Sequence, residues 1–219
     1  MILLFSGGID SYIAWHYLKH PQTVYFNLKT PYSDKEIKVI KELIPSTIID
    51  NSLNLSDRQI GMNAYIPFRN LYLAMLANKY GDDIIIAGVK DDDVSDKNEP
   101  IFEQFSCLLS KLENRTISVR SPFWNSTKED IVKWFLEKFP DKEKQLLRTV
   151  SCYSEEDTLY CGYCPSCFRK WCALKSNGID IPFYNVKLMI DYEQKARTGH
   201  YIRERNELII KLVEGELGI

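Results

Sequence analysis

Hydrophobic and polar residues change places along this chain in blocks, and the blocks predict a regular succession of elements. Ile2 to Phe5 form a short apolar run, a strand candidate, that breaks into Ser6-Gly7-Gly8-Ile9-Asp10-Ser11. A helix is then expected from about Tyr12 until His20-Pro21. Thr23 to Asn27 reads as a second strand, and Asp34 to Leu43 as a helix with Asp34 at its N-cap and Ile37, Ile40 and Ile44 on one face. Thr47 to Asp50 supplies a third strand, and Asn51 to Met62 reads as loop. Pro67 to Tyr80 has the pattern of a helix with Pro67 in its first turn and Gly81 as C-terminal cap. Ile84 to Ala87 is apolar throughout, as suits a strand covered on both faces of a parallel sheet. A helix over Phe102 to Leu112 and a strand over Ile117 to Val119 follow. Ser126-Thr127-Lys128-Glu129 reads as a capping box opening a helix that runs to Phe139. After Ser176 the rhythm stops until a helix between about Ile202 and Glu214.

Strand and helix therefore alternate five times, which predicts an α/β fold built on a doubly wound, parallel five-stranded sheet. Such sheets bind ligands outside the carboxyl ends of their strands, where the strand order reverses, so the loop after the first strand is the favoured place.

Bulk composition narrows the picture further. The 219 residues, with 45% hydrophobic content, suffice for one main core and an appendage, and the expected division is an α/β domain over residues 1–148 and a smaller unit over 149–219. A net charge of −2 gives no general attraction to nucleic acid or anionic membrane. No apolar run approaches the ~20 residues of a membrane span, and Met1 to Phe5 lacks the length and charged flank of a signal peptide. A cytoplasmic protein, with no membrane partner and no nucleic-acid partner, is expected.

Five of the six cysteines lie between Cys152 and Cys172. In a reducing compartment, clustered thiols point to metal rather than to disulfides. Cys152, Cys161, Cys164 and Cys167 make the pattern C-x8-C-x2-C-x2-C, enough thiolates for a closed tetrahedral zinc site of the structural kind. Gly162 eases the turn between the second and third, and a four-cysteine iron–sulfur cluster is the chemical rival. Cys172 reads as a spare ligand or a packing residue, and Cys107 as an apolar helix position. His16, His20 and His200 show no spacing that suggests a metal site or a triad.

The loop at the start lacks the lysine of a Walker sequence and the glycine spacing of a dinucleotide fingerprint. It nevertheless has what an anion needs. Gly7 and Gly8 let the backbone bend and present N–H groups at a helix N-terminus, Ser6 and Ser11 carry hydroxyls, and Asp10 can cap the helix or help to organise a cation. Ser-Gly-Gly-Ile-Asp-Ser resembles the signature of the PP-loop ATP pyrophosphatases, which split ATP into AMP and pyrophosphate.

Loop and cysteine pattern together resemble the 7-cyano-7-deazaguanine synthase family, over roughly Met1 to Leu174. Besides those two motifs the resemblance rests on Ile66 to Asn70 ("IPFRN"), Ile84 to Asp93 ("IIIAGVKDDD"), Ser121 to Val132 ("SPFWNSTKEDIV") and Thr149 to Tyr153 ("TVSCY"). It implies an adenine nucleotide alpha-hydrolase-like, Rossmann-like fold with a small C-terminal zinc-binding subdomain. It also implies an ATP-dependent carbon–nitrogen ligase of queuosine biosynthesis that joins ammonia to a carboxy-deazaguanine through an adenylated carboxylate. The cofactors implied are structural zinc, ATP as co-substrate and magnesium, with a homodimer expected by analogy.

By the same resemblance, Phe5, Ser6, Gly7, Gly8, Ile9, Asp10, Ser11, Tyr12, Ile13, Ala14 and Trp15 form the ATP loop, joined by Arg69 and Gly88. Asp10, Ser11, Arg69 and Lys128 carry the catalytic roles, Cys152, Cys161, Cys164 and Cys167 hold the metal, and Glu99 is a candidate for contacting the substrate; Asp91-Asp92-Asp93, by its place at the carboxyl end of the fourth strand, offers a metal or base contact, with Asp93 as the substrate candidate. Two stretches depart from the family's pattern. Leu28 to Ser33 replaces a Tyr-Gly-Gln-Arg-His-like segment, and Lys97 to Ile101 replaces a Tyr-Pro-Asp-Cys-Arg-like one, where Glu99 would stand in for the acid. The alternatives left open are a divergent PP-loop enzyme acting on another carboxylate or on tRNA, and a nonenzymatic module that binds ATP and zinc.

Overall fold

Five parallel strands, β1 (Ile2–Leu4), β2 (Gln22–Phe26), β3 (Ile48–Asp50), β4 (Asp83–Ile86) and β5 (Ser118–Arg120), lie in the order β3-β2-β1-β4-β5. The computed structural model of the chain describes residues 1–61, 65–154 and 157–218. Register follows from the apolar runs: Leu3 pairs with Ile85 on one side and with Thr23 on the other, and Val24 pairs with Ile48. Because side chains alternate across a strand, Leu3, Tyr25 and Ile85 face one layer while Ile2, Val24 and Ile84 face the other.

Helices α1 (Ile9–Tyr17), α2 (Ser33–Leu43) and α5 (Lys128–Lys138) cover the first face through Ile13, Ile40, Val132 and Phe135. Helices α3 (Arg69–Ala77) and α4 (Glu99–Glu113) cover the second through Ala74, Phe102 and Leu109. The doubly wound sheet expected from the alternation is thus present. Beyond it come α6 (Glu143–Arg148), α7 (Pro165–Lys175), α8 (Val186–Arg197) and α9 (Arg203–Leu217). The last three share a third core in which Cys167, Phe168 and Trp171 meet Met189, Ile209 and Val213.

Several ends differ from the sequence reading, each for a local reason. Helix α1 starts at Ile9, three residues before Tyr12, with Gly8 as its extended N-cap. Asp34 sits in the first turn of α2 and is not its N-cap, which is Tyr32. Helix α3 begins at Arg69 because Phe68 adopts a left-handed conformation (φ 58°), so Pro67 lies outside it. Its first turn is capped from a distance: the Asp96 carboxylate accepts from Asn70 N at 3.1 Å and Asn70 Nδ2 at 2.8 Å. Asn78, and not Gly81, ends that helix.

Helix α4 starts at Glu99, ahead of Phe102, since Asn98 accepts from Ile101 N at 3.1 Å and Pro100 presets the first turn. The capping box of α5 pairs Thr127 with Asp130, one residue on from Ser126 and Glu129. A short 3-10 turn, Ser56–Arg58, interrupts the loop after β3, whose expected last residue, Met62, lies outside the described residues. Cys107 is exposed on α4 rather than packed, because the buried stripe passes through Phe102 and Leu109.

Gly88, just past β4, has both its N–H and its carbonyl bonded to the Ser121 hydroxyl, at 3.0 and 2.6 Å. A Cβ there would fall 2.4 Å from the Trp124 ring. Gly88→Ala is expected to destabilise the fold by about 1–3 kcal/mol through overpacking, and urea denaturation checks this. An unchanged midpoint would show that the Trp124 ring yields.

Candidate functional site

At the strand-order switch between β1 and β4 the two following loops part, and a cleft of about 800 Å³ opens between them. Its near wall is the predicted loop. Gly7 takes φ +72°, and a side chain there would press within 3.2 Å of Val39 and 3.3 Å of Ile40, which accounts for the glycine. From Gly7 through Ser11 the main-chain N–H groups have no protein acceptor among the described residues. They form a donor array at the N-terminus of α1, suited to an anion. The Ser11 hydroxyl donates back to Gly8 O at 3.0 Å.

Across the cleft, the Lys128 ammonium reaches both Asp10 carboxylate oxygens at 2.6 Å. Lys128 N also donates to Asp91 Oδ1 at 3.2 Å, so the start of α5 is fastened to the loop after β4. Arg169 of α7 donates to Asp91 Oδ2 at 2.9 Å and lies 3.5 Å from Asp92, while Lys97 sits 2.8 Å from Asp92. Burial by itself would push the Asp92 carboxyl up, but Lys97, Arg169 and Lys128 outweigh it and hold it well below the usual carboxylate range.

The β2 side of the cleft differs in character. Phe26, Leu28, Tyr32 and Ile66 make it apolar and aromatic, with the Tyr32 and Tyr153 rings 5.0 Å apart. In it stands Glu36, whose carboxylate accepts from the Tyr25 hydroxyl at 2.6 Å. Burial pushes the Glu36 carboxyl up to about 7 against the opposing pull of Tyr25, Arg69 and Lys35. Arg69 faces the cleft with no carboxylate within 4.0 Å among the described residues.

Of the residues singled out in the sequence, Phe5, Ser6, Gly8, Ile9, Asp10, Ser11, Arg69, Asp93 and Lys128 line this cleft. Others do not. Tyr12, Ile13 and Ala14 are buried in the core on the far side of α1, Trp15 packs against the same cluster, and Gly88 is enclosed by Trp124. Glu99 is exposed in the first turn of α4, outside the cleft lining, so the half-buried Glu36 is the carboxylate within the apolar side. His16 and His20 form a bonded pair (3.1 Å) beside Phe135 and Phe139, also outside it.

Sequence reasoning missed Arg169, Lys170 and the tail residues Tyr192, Lys195, Tyr201 and Arg205, all in the lining. Arg169 follows the last knuckle cysteine by two residues, a position that only the helix geometry of α7 turns toward Asp91. Lys170, pushed down to about 7 chiefly by burial, donates to Thr149 O at 2.6 Å.

The sulfurs of Cys152, Cys161, Cys164 and Cys167 all lie within 4.8 Å of one another, while Cys172 is buried in the adjoining core and is not among them. Four thiols at this spacing fit a tetrahedral ion, whose sulfurs would stand roughly 3.8 Å apart for bonds of about 2.3 Å. Cys167 N donates to Cys164 Sγ and Tyr163 N to Cys161 Sγ, both at 3.4 Å, so main-chain donors already turn the sulfurs inward. The centre is wired to the cleft. Two residues before Cys152, Val150 N donates to Gly7 O at 2.9 Å.

Fold and site together define an α/β protein of the PP-loop, Rossmann-like class with a four-cysteine appendage. The family model described as "Queuosine biosynthesis protein QueC" matches residues 22–178, and the chain belongs to that family. It is similar to "7-cyano-7-deazaguanine synthase" of Rickettsia conorii, 34% identical over 135 residues that cover 56% of this chain and 58% of the relative. It is also similar to "7-cyano-7-deazaguanine synthase" of Psychromonas ingrahamii, 24% identical over 216 residues covering 83% of this chain and 96% of the relative. With "7-cyano-7-deazaguanine synthase 2" of Sulfurisphaera tokodaii the figures are 26% over 220 residues, 83% of this chain and 47% of the relative. The chain thus spans about 58% of the length of the Rickettsia relatives it matches.

Cys164→Ser is expected to lose bound metal and thermal stability together, since an ion held only by the folded chain adds its binding energy to folding. Elemental analysis and a melting curve check it. Glu36 generates a second expectation. Its folded pKa, about 7 against the ordinary 4.5, means that the folded state holds the proton more tightly. The stability it confers is complete below about pH 4.5 and is lost as pH rises through about 7. Glu36→Gln should flatten the dependence of melting temperature on pH across that window.

Proposed function

We propose that this chain is an ATP-dependent ligase that converts a carboxy-deazaguanine and ammonia into 7-cyano-7-deazaguanine for queuosine synthesis. The observation that carries this reading is the row of unpartnered N–H groups from Gly7 to Ser11, set at the strand-order switch and facing Lys128 and Arg69. That arrangement suits a triphosphate. Membership of the QueC family and the names of its relatives support the product.

In this reading the nucleoside takes the apolar β2 side, along Phe26, Leu28 and Ile66, and the phosphates cross the donor array. The acceptor enters from the charged β4 side. Its carboxylate oxygen attacks the α-phosphorus, the bond to the β-phosphate bridging oxygen breaks, and pyrophosphate leaves. The loop amides, Lys128 and Arg69 stabilise the charge that grows on the phosphate oxygens. Carboxylate oxygen is a poor leaving group, and its union with AMP turns it into a phosphate that departs readily.

Ammonia then adds to the activated carbon, releases AMP and leaves an amide. Adenylation of the amide oxygen by a second ATP, followed by loss of AMP and protons, gives the nitrile. Magnesium accompanying the triphosphate would neutralise part of its charge. Zinc at Cys152, Cys161, Cys164 and Cys167 would be structural, a closed site with no open position for chemistry.

The departures favour a second reading, adenylation of a different carboxylate. Lys97, inside the segment that differs, is committed to Asp92 at 2.8 Å, and Glu99 stands outside the cleft.

Incubation of the chain with ATP, ammonium and carboxy-deazaguanine should yield nitrile and AMP; AMP formed only with another acid would support the second reading. Asp10→Ala and Ser11→Ala should each lower AMP formation by about 100-fold or more with an unchanged circular dichroism spectrum. Normal turnover in both would remove the loop from the mechanism.

A further inference from the structure

Residues beyond 178, outside the match to the family, are not a passive tail. Helices α8 and α9 pack against each other and, through α7, onto the four-cysteine unit. An aromatic stack fixes them there: Phe168 lies on Tyr192 at 4.5 Å between ring centroids, Tyr192 on Tyr201 at 6.2 Å, and the Arg205 guanidinium covers Tyr201 at 3.9 Å. Tyr192, Lys195, His200, Tyr201 and Arg205 all reach the cleft, where His200 stands 3.6 Å from Asp93.

Arg205 is the telling residue. It is 7% exposed, yet its sole hydrogen bond among the described residues goes to the main-chain oxygen of Asp91, at 2.9 Å. No carboxylate lies within 4.0 Å of it among those residues, because the Asp91 side chain is already held by Arg169. Burial and the neighbouring Arg169 both work against its charge. Lys195, on the same rim, likewise has no acidic partner within that distance among the described residues, and sits over the Tyr192 ring at 5.6 Å. Buried charge is ordinarily paired. Here no acidic partner stands among the described residues, and both side chains line the cleft.

We propose that the α8–α9 hairpin is the acceptor wall of this enzyme, in which Arg205 and Lys195 bind the anionic group of the acceptor, a carboxylate, against the Tyr192–Tyr201 stack. This rests on the ligase reading given above. The hairpin side is joined to the nucleotide loop by a chain of contacts, Arg205 to Asp91, Asp91 to Lys128 and Lys128 to Asp10. A carboxylate arriving beside a triphosphate is repelled by it, and a guanidinium that has no resident anion offsets that repulsion.

Calorimetric titration of the intact, metal-replete chain tests this, with carboxy-deazaguanine, ATP and pyrophosphate as separate ligands. Arg205→Gln should weaken carboxy-deazaguanine binding about tenfold or more, and Lys195→Gln about two- to fivefold, with ATP and pyrophosphate affinities unchanged. Lys195 is exposed, so its variant keeps the test valid if Arg205→Gln melts early. Unchanged acceptor affinity in Lys195→Gln and in a folded Arg205→Gln overturns the proposal. So does a loss confined to ATP or pyrophosphate, which would assign the guanidinium to the nucleotide, and so does an absence of acceptor binding by the unaltered chain. Failure of the nucleotide reading is a separate result, an unaltered chain that gives no heat with ATP.

Discussion

The lattice of charges behind β4 is the constraint on which the site depends. Asp91 and Asp92 bring carboxylates into a poorly solvated region; Arg169 pairs with both, and Lys97, Arg169 and Lys128 hold the Asp92 carboxyl below the usual range against its burial. Each cation comes from a different element: Lys97 precedes α4, Lys128 opens α5, and Arg169 lies in α7. Three elements are thereby tied to one turn. A pair of this kind adds little net stability over an apolar substitute, but loss of a single partner strands the other charge. The arrangement therefore fixes geometry more than it strengthens the fold.

Around that lattice the cleft has two chemistries. Its β2 side is ring and aliphatic surface with one carboxylate raised by burial, and its β4 side is ionic. A doubly wound sheet supplies this division without special provision, since the loops after β1 and β4 diverge to opposite faces. The hairpin of α8 and α9 adds a third wall that the sheet does not provide.

How much of this was legible beforehand depends on how local the cause was. Ile84 to Ile86 announced β4 because a strand buried on both faces must be apolar at consecutive positions. The cysteine pattern was equally plain, since metal geometry fixes ligand spacing. Of the loop, Ser6 and Gly8 to Ser11 line the cleft, whereas Tyr12 to Trp15, read from the sequence as part of the same stretch, are turned by the helix toward the core.

What escaped had distant causes. The first turn of α3 is capped by Asp96, twenty-six positions beyond Asn70, and Arg169 meets an Asp91 that lies seventy-eight positions before it. Helix α8 escaped despite a readable cap at Asn185, because its apolar stripe, Met189 and Ala196, is thin and includes the buried Glu193. Glu36 escaped because nothing in the text of an amphipathic helix says which of its acids will lose water.

The bond from Val150 N to Gly7 O spans most of the chain. The glycine bend near the first residues is therefore completed by a segment far along the chain, next to Cys152. The cysteine cluster and the bend at Gly7 are thus neighbours through a single main-chain bond, and what loosens one reaches the other.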